Sequence, residues 1–388
     1  MTDKSTKKWF VTLKPAEKFF FGGEQTYQKE GKTDYFMRSN YFPQQTAVLG
    51  MIRYLLLKTC GDETVFKNNR IQNKDKAAEW IGEKSFRIDD TEFNFGKIKS
   101  LSPLFIHCKL ENKHFFPRNK EYLNDDETTF RSEMLQLSKK HAHFNLQAYE
   151  AKEGLADLLT DQADKTQVTY NDFFVPCQQV GIRKNYKGVS QEGAFYIQVF
   201  QKFKPFRHKA NKRIKQDLHF AFLLELDADL DFDTTKSGPI FVMLGGEQQT
   251  FALTAAKAEQ NFEELQPNYK PSVEYDKLVL TSDAYVDTSA TNWEFSIASS
   301  INFRFLETQV QTNGNYYGID RNVKSDKGST YQETNKKIIT HSKKFELYKR
   351  GSVFYGDIAK MRTAFDLKAF KSLGYNHYKP IEKNGNSK

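Results

Sequence analysis

Seven lysine and arginine side chains fall at Lys202, Lys204, Arg207, Lys209, Lys212, Arg213 and Lys215, and no acid interrupts them. A run of one sign repels itself, so it calls for a solvated loop or a polyanionic partner. Phe203 and Phe206 interleave with the cations. That pattern suits a single nucleic-acid strand, with phosphates against Lys and Arg and bases against the rings. A shorter cluster, Arg183-Lys184-Asn185-Tyr186-Lys187, follows Gly181 and reads as the tip of a loop or hairpin. Its alternative is an ordinary charged turn. A third feature recurs: Phe21-Gly22-Gly23-Glu24-Gln25 is echoed by Leu244-Gly245-Gly246-Glu247-Gln248. Paired glycines after an apolar strand allow positive φ and close approach of another chain.

Catalytic patterns are missing. The Gly245-Gly246-Glu247 turn between apolar segments is like the hairpin of palm-domain nucleotidyl cyclases, which needs two carboxylates to hold metal ions on a triphosphate. Gln248 stands where the second acid would be, which leaves a tight turn. Asp227 to Asp233 imitates the start of a calcium loop, but Phe232 replaces the required glycine and Gly238 the final bidentate Glu. His141 and His143 lack a third ligand of matching spacing. Neither GxSxG, Walker A, GxGxxG nor a Cys/His nucleophile pair occurs. The expectation is no catalytic residue, no metal and no cofactor.

The elements that must position these residues begin with a strand at Trp9–Leu13, ended by Pro15. After an aromatic–glycine loop, a helix starts near Pro43, with Val48, Met51, Ile52, Leu55 and Leu56 at helical spacing. Strand, loop and helix open a βαβ unit or a ferredoxin-like split βαβ. Asn119 to Lys140 reads as an insertion or exposed helix. Strands follow at Gly193–Phe200, His219–Leu226, Ile240–Leu244, Thr250–Leu253 and Lys277–Thr281, with long loops at Glu259–Pro271 and Gln309–Lys337. A polar stretch at Gln162–Thr169 marks the expected boundary between residues 1–168 and 169–388.

Composition agrees with a polyanion-binding class. The chain of 388 residues has 58 basic against 49 acidic side chains, a formal charge of +9. Neutralising phosphates with these cations releases condensed counterions and drives association. Cys60, Cys108 and Cys177 are far apart, so neither disulfides nor a structural zinc are expected, and a reducing cytoplasm fits. The most apolar stretch, Ala47–Leu57, is interrupted by Arg53 and too short to cross a bilayer, so no membrane partner is expected.

Several segments together resemble the RAMP proteins of CRISPR systems, most closely the Cmr subunit three family of type III-B effector complexes. They are Leu13-Lys-Pro-Ala-Glu-Lys-Phe-Phe20, Phe42-Pro-Gln-Gln-Thr-Ala-Val-Leu-Gly-Met-Ile-Arg53, Gly181-Ile-Arg183 with Glu192-Gly-Ala-Phe-Tyr196, Leu244-Gly-Gly-Glu247, Leu278-Val-Leu-Thr281, Arg350-Gly-Ser-Val-Phe-Tyr355 and Leu373-Gly-Tyr-Asn376. Gln45 stands where the family has Ser, Glu17 where it has Asp, and Gly22-Gly23 where a charged pair is usual. The resemblance implies an α+β fold of two ferredoxin-like, RRM-related RAMP domains with long inserted loops. It implies a non-catalytic RNA-binding subunit in antiviral defence that anchors the 5′ handle of the crRNA. Its partners would be the large polymerase/cyclase-like subunit and a backbone RAMP subunit.

On that reading the helix start at Gln45 and Thr46 offers free N–H groups to a phosphate. Arg53, two turns on, and Arg38-Ser39-Asn40 add charge-assisted contacts. Phe20, Phe21, Gly22 and Gly23 form an RNA-gripping loop with Gly245 and Gly246 as its counterpart. Arg183, Lys184 and the run from Lys202 to Lys215 track the strand. One rival is a metal-independent endoribonuclease of the same fold, with His141 or His219 as acid–base group. A nucleotide-binding enzyme using the Gly-Gly-Glu turn is the other.

Overall fold

A computed structural model of the chain describes residues 6–22, 25–26, 35–59, 61–122, 136–140, 143–147, 152, 154–164, 166–184, 190–209, 212–269, 275–286, 292–304, 306–310, 337–341 and 344–383. The first strand, β1 (Thr6–Pro15), alternates as a half-buried strand should: Trp9, Val11 and Leu13 are buried on one face, with Phe10 and Thr12 on the other. It lies deep in a nine-stranded sheet of antiparallel ladders. From one edge the order is Gln167–Thr169, Leu158–Asp161, Lys113–Pro117, Phe105–Cys108, Leu218–Asp227, β1, Gln249–Lys257 and Ile240–Leu244. Ile98–Leu101 also pairs with Leu218–Asp227.

Helix α1 (Gln45–Thr59) presents Val48, Met51, Ile52, Leu55 and Leu56 to the face that carries Trp9, Val11 and Leu13. The turn-by-turn spacing of these residues is what makes the helix amphipathic and seats it. On the other face Phe105, Phe116, Ala221 and Leu223 pack against Phe262 and Leu265. These last two lie on a one-turn helix, Phe262–Leu265, inside the segment expected to be loop; Asn261 and Glu264 close a capping box that explains it.

The strands expected in the second half are present, at Ser190–Phe203, Leu218–Asp227, Ile240–Leu244, Gln249–Lys257 and Lys277–Leu280. The sheet crosses the boundary expected at 168/169, because β1 is hydrogen-bonded between strands 218–227 and 249–257. A four-stranded sheet joins Phe174–Lys184, Ser190–Phe203, Tyr35–Arg38 and Gln25–Thr26. Another joins Phe295–Ile297, Val353–Tyr355, Lys277–Leu280 and Tyr378–Ile381. The fold is therefore mixed, rich in strands and poor in helices.

Of Asn119–Lys140, expected as an insertion or exposed helix, residues 123–135 lie outside the described ones, and neither described end is an exposed helix. Asn119 to Tyr122 are buried, and Gln136–Lys140 is a strand paired with His143–Gln147. Residues 119–122 are polar because they build a buried ionic junction. Lys277 Nζ meets Glu121 at 2.7 Å, the Tyr355 hydroxyl donates to Glu121, and Lys120 Nζ meets Asp157 at 2.6 Å. Arg350 seals the same region: it bonds Asp283 at 3.1 Å, donates to Leu104 O, and covers the Phe42 ring.

Candidate nucleic-acid interface

The two Gly-Gly-Glu-Gln echoes meet. Phe19–Gly22 runs between the 190–203 strand and the turn at Gly245-Gly246. Phe19 exchanges backbone bonds with Gln201, at 2.8 and 2.9 Å, and Gly246 N donates to Phe20 O at 2.8 Å. Gly245 has φ +86°, and a Cβ there would lie 2.5 Å from Phe20 O. The closely approaching chain is thus the protein's own. Phe20 packs on Phe200, and Phe21 stacks on Phe251; both rings are buried, which corrects the expectation that they face a base.

Ser39 is buried as well, where its Oγ accepts from Phe21 N at 2.8 Å. Asn40 zips alongside, with its N donating to Phe21 O and its Nδ2 to Gly22 O at 2.7 Å. Gly22 itself is exposed, with no neighbour within 4 Å of a virtual Cβ. Gly23 lies outside the described residues. Beside this junction Arg38 is exposed, and Lys18 stands over the Phe200 ring, donating to Gln179. Ser39 N bonds Val199 O, so Arg38 and the exposed Lys202 flank one length of the 190–203 strand. From Val199 to Lys202 the strand advances about 10 Å.

The start of α1 does not offer an open phosphate site. Gln45 is 2 % exposed, and its Nε2 donates to Ser102 O and Gly374 O. Its first N–H groups, at Gln45 and Thr46, face the hydroxyl of Tyr375, itself buried. Gly374 (φ +90°) is required because a Cβ would come within 2.0 Å of Gln45 Nε2. Arg53 is likewise turned inward: Nη2 donates to Gly82 O and the guanidinium lies over Phe95.

The long basic run folds into a hairpin, Phe206–Lys209 against Lys212–Lys215. Arg207 is buried in an ion pair with Glu111 at 2.8 Å, so it anchors the hairpin rather than facing solvent. Lys202, Lys212, Arg213 and Lys215 are exposed and Lys204 half-buried. Arg183, Lys184 and Lys209 lie in strands, but their side chains are outside the described ones. The hairpin is not evident from spacing alone, because no Asn-Gly or Asp-Gly pair stands between its arms.

Of the two acid–base candidates, the described one, His219, is engaged within the fold. His219 is buried, with Nδ1 toward Thr12 Oγ1 and Nε2 3.2 Å from Asp217. His107 and His114 bring their Nδ1 atoms to 3.2 Å, and burial pushes each imidazole down to about 4. His141 lies outside the described residues. Among the described residues no group of three His, Cys, Asp or Glu could hold a metal ion, and no helix is long and apolar enough to cross a membrane.

The motifs behind the family resemblance meet in pairs: Gly181 faces Tyr196, Leu278 faces Phe354, and Gly374 abuts Gln45. Residues 11–379 match the family model described as CRISPR-associated protein (Cas_Cmr3), and the chain belongs to that family. No curated protein sequence matches it. Similar solved structures include a cryo-EM structure of the Type III-B Cmr-beta bound to cognate target RNA and AMPPnP, state 1, at 12% identity, with 95% of each chain covered and a TM-score of 0.44. A second, of the Type III-B Cmr-beta bound to cognate target RNA, gives 11% identity, 96% of each chain and a TM-score of 0.44.

Proposed function

We propose that the chain is a non-catalytic, RNA-binding subunit of a type III-B CRISPR complex that anchors the crRNA 5′ handle. In this reading it bridges the large polymerase/cyclase-like subunit to the backbone subunits and works in the cytoplasm. The main sheet with its β1–α1 opening serves as the RRM-related, ferredoxin-like platform.

One observation carries the reading: the described cations of the 202–215 run and Arg38, apart from Arg207, are left outside the ion pairs that tie down other lysines and arginines of the chain. Arg118, Lys120, Arg207, Lys277 and Arg350 are buried against carboxylates. None of the described ion pairs involves Arg38, Lys202, Lys204, Lys212, Arg213 or Lys215. Cations that pair with no described carboxylate keep their charge available to phosphate, and the exposed Gly22 lets a strand approach the backbone beside Arg38. The conformational work of holding the fold falls on the paired set.

The test is retention of crRNA by the full chain across a salt titration. Single-stranded RNA gives a slope of about −0.7 per phosphate neutralised. Arg38→Ala with Lys202→Ala should lower the slope by about 1.4 and weaken binding at every salt concentration. Unchanged retention would remove the Gly22–Lys202 region from the interface.

A further inference from the structure

The hairpin at Phe206–Lys215 has two unlike sides. Its cross-strand partners are Phe206 with Lys215, Arg207 with Ile214, and His208 with Arg213. Opposite residues in an antiparallel pair share a side, and successive residues alternate. Arg207 and Ile214 therefore point one way, and Phe206, His208, Arg213 and Lys215 the other. The Arg207 side is fixed to the body: the guanidinium grips Glu111 and lies 5.7 Å from the Phe115 ring centroid. Gln216 ties down the root by donating to Asp172 O at 2.9 Å and Lys204 O at 3.2 Å.

The other side faces out. His208, Arg213 and Lys215 are exposed, and Phe206 is partly covered by Arg213. The Arg213 guanidinium lies 3.6 Å from the Phe206 ring centroid, in van der Waals contact with the ring. No described carboxylate pairs with Arg213 or Lys215. A guanidinium laid flat on a ring has one face used and one face open. Its N–H edge donates to phosphate or carboxylate, whereas its open face takes a planar, polarisable partner. The lower ring also holds the arginine in a fixed orientation, which reduces the freedom lost when a second plane docks.

We infer that this outward side is a base-stacking site for single-stranded RNA: a nucleobase lies on the Arg213–Phe206 pair, and Lys215 meets a neighbouring phosphate. The inference rests on the RNA-holding role proposed above and assigns a different mode to this part of the surface. Around Gly22 and Arg38 the contacts are backbone and charge. At the hairpin they include a stack, which is tolerant of sequence because every base has a π face. A base is favoured over an acidic peptide because the arrangement spends the guanidinium plane, not only its charge.

The experiment is binding of fluorescein-labelled single-stranded RNA to the full-length chain, followed by anisotropy at several salt concentrations. The variants are Phe206→Leu, Arg213→Lys and Arg213→Ala, with urea unfolding as a folding control. Phe206→Leu keeps an apolar residue under the arginine, and Arg213→Lys keeps the charge. Both should weaken binding about tenfold with the salt slope unchanged, as expected for one lost stack. Arg213→Ala should weaken binding further and lower the slope by about 0.7. Wild-type binding by Phe206→Leu and Arg213→Lys, with loss only in Arg213→Ala, would overturn the stack and leave a phosphate contact. If every hairpin variant binds RNA normally while Arg38→Ala with Lys202→Ala does not, the handle reading stands and the hairpin is not an RNA site. Competition by poly-glutamate for the hairpin would then mark an acidic protein partner. Absence of RNA binding by the wild-type chain would defeat the handle reading itself.

Discussion

Replacing Gly245 and Gly22 separately by alanine distinguishes packing glycines from ligand-facing ones. Gly245 has φ +86° and ψ −174°, an essentially glycine-only region that costs an L-residue about 1–3 kcal/mol. Its new Cβ would also sit 2.5 Å from Phe20 O and 3.0 Å from Phe21 Cδ1, neither of which can move without shifting a buried segment. The shift strains the Gly246 N to Phe20 O bond of 2.8 Å. A buried hydrogen bond left unmade costs about 1–3 kcal/mol. Gly245→Ala should therefore destabilise by about 2–6 kcal/mol. Gly22, with no neighbour within 4 Å, should accept alanine with a change of under about 1 kcal/mol, because the added Cβ restricts mainly the unfolded chain. Urea unfolding followed by far-ultraviolet circular dichroism reads both, with the midpoint falling at constant m for Gly245→Ala. RNA retention supplies the contrast: Gly22→Ala should weaken it without touching stability. A Gly245→Ala protein as stable as the wild type would refute the close-packing account of the glycine pair.

Two further outcomes follow from buried charge. Arg350→Ala strands Asp283, which is 6 % exposed, and should cost about 3–5 kcal/mol; Arg350→Met with Asp283→Leu should cost less than the sum of the single changes in the same unfolding assay. For pH, burial first, and then the neighbouring imidazole, pushes His107 and His114 down to about 4 from an ordinary 6.5. The unfolded chain then binds more protons between those values, so stability is fully present above pH 6.5 and is lost as pH falls toward 4. One such imidazole accounts for about 3 kcal/mol across that window. His219 and His377 move in the same direction, so His114→Gln should flatten the midpoint-against-pH curve without abolishing it.

The strands and α1 were legible because period-two and period-3.6 patterns depend on local spacing, as in Trp9-Val11-Leu13 and Val48-Ile52-Leu55. The candidate site was legible only in outline. Basic residues in one run look alike in sequence, yet Arg207 is buried against Glu111, ninety-six residues away, while Arg213 is exposed. Gln45 looked like a helix-start residue open to phosphate; its partners, Ser102 and Gly374, lie fifty-seven and 329 residues distant. Phe20 and Phe21 beside glycines fit a ligand loop equally well until Phe200 and Phe251 are seen against them. Long-range partners, which spacing does not encode, decide each of these cases.

The partner that each cation finds sets the hairpin apart. A buried cation needs a carboxylate in reach, because desolvation without a partner costs more than any surface contact returns. Arg207, Lys277 and Arg350 have such partners and hold the hairpin, the 118–122 segment and the C-terminal strands in place. Arg213 has an aromatic ring instead, and a ring neutralises nothing. No described carboxylate pairs with Arg213, and it stands exposed on a strand pair whose inner side is pinned by Arg207. That combination, a guanidinium laid on Phe206 with the opposite side of the strand pair held by Glu111, is what the stacking proposal draws on.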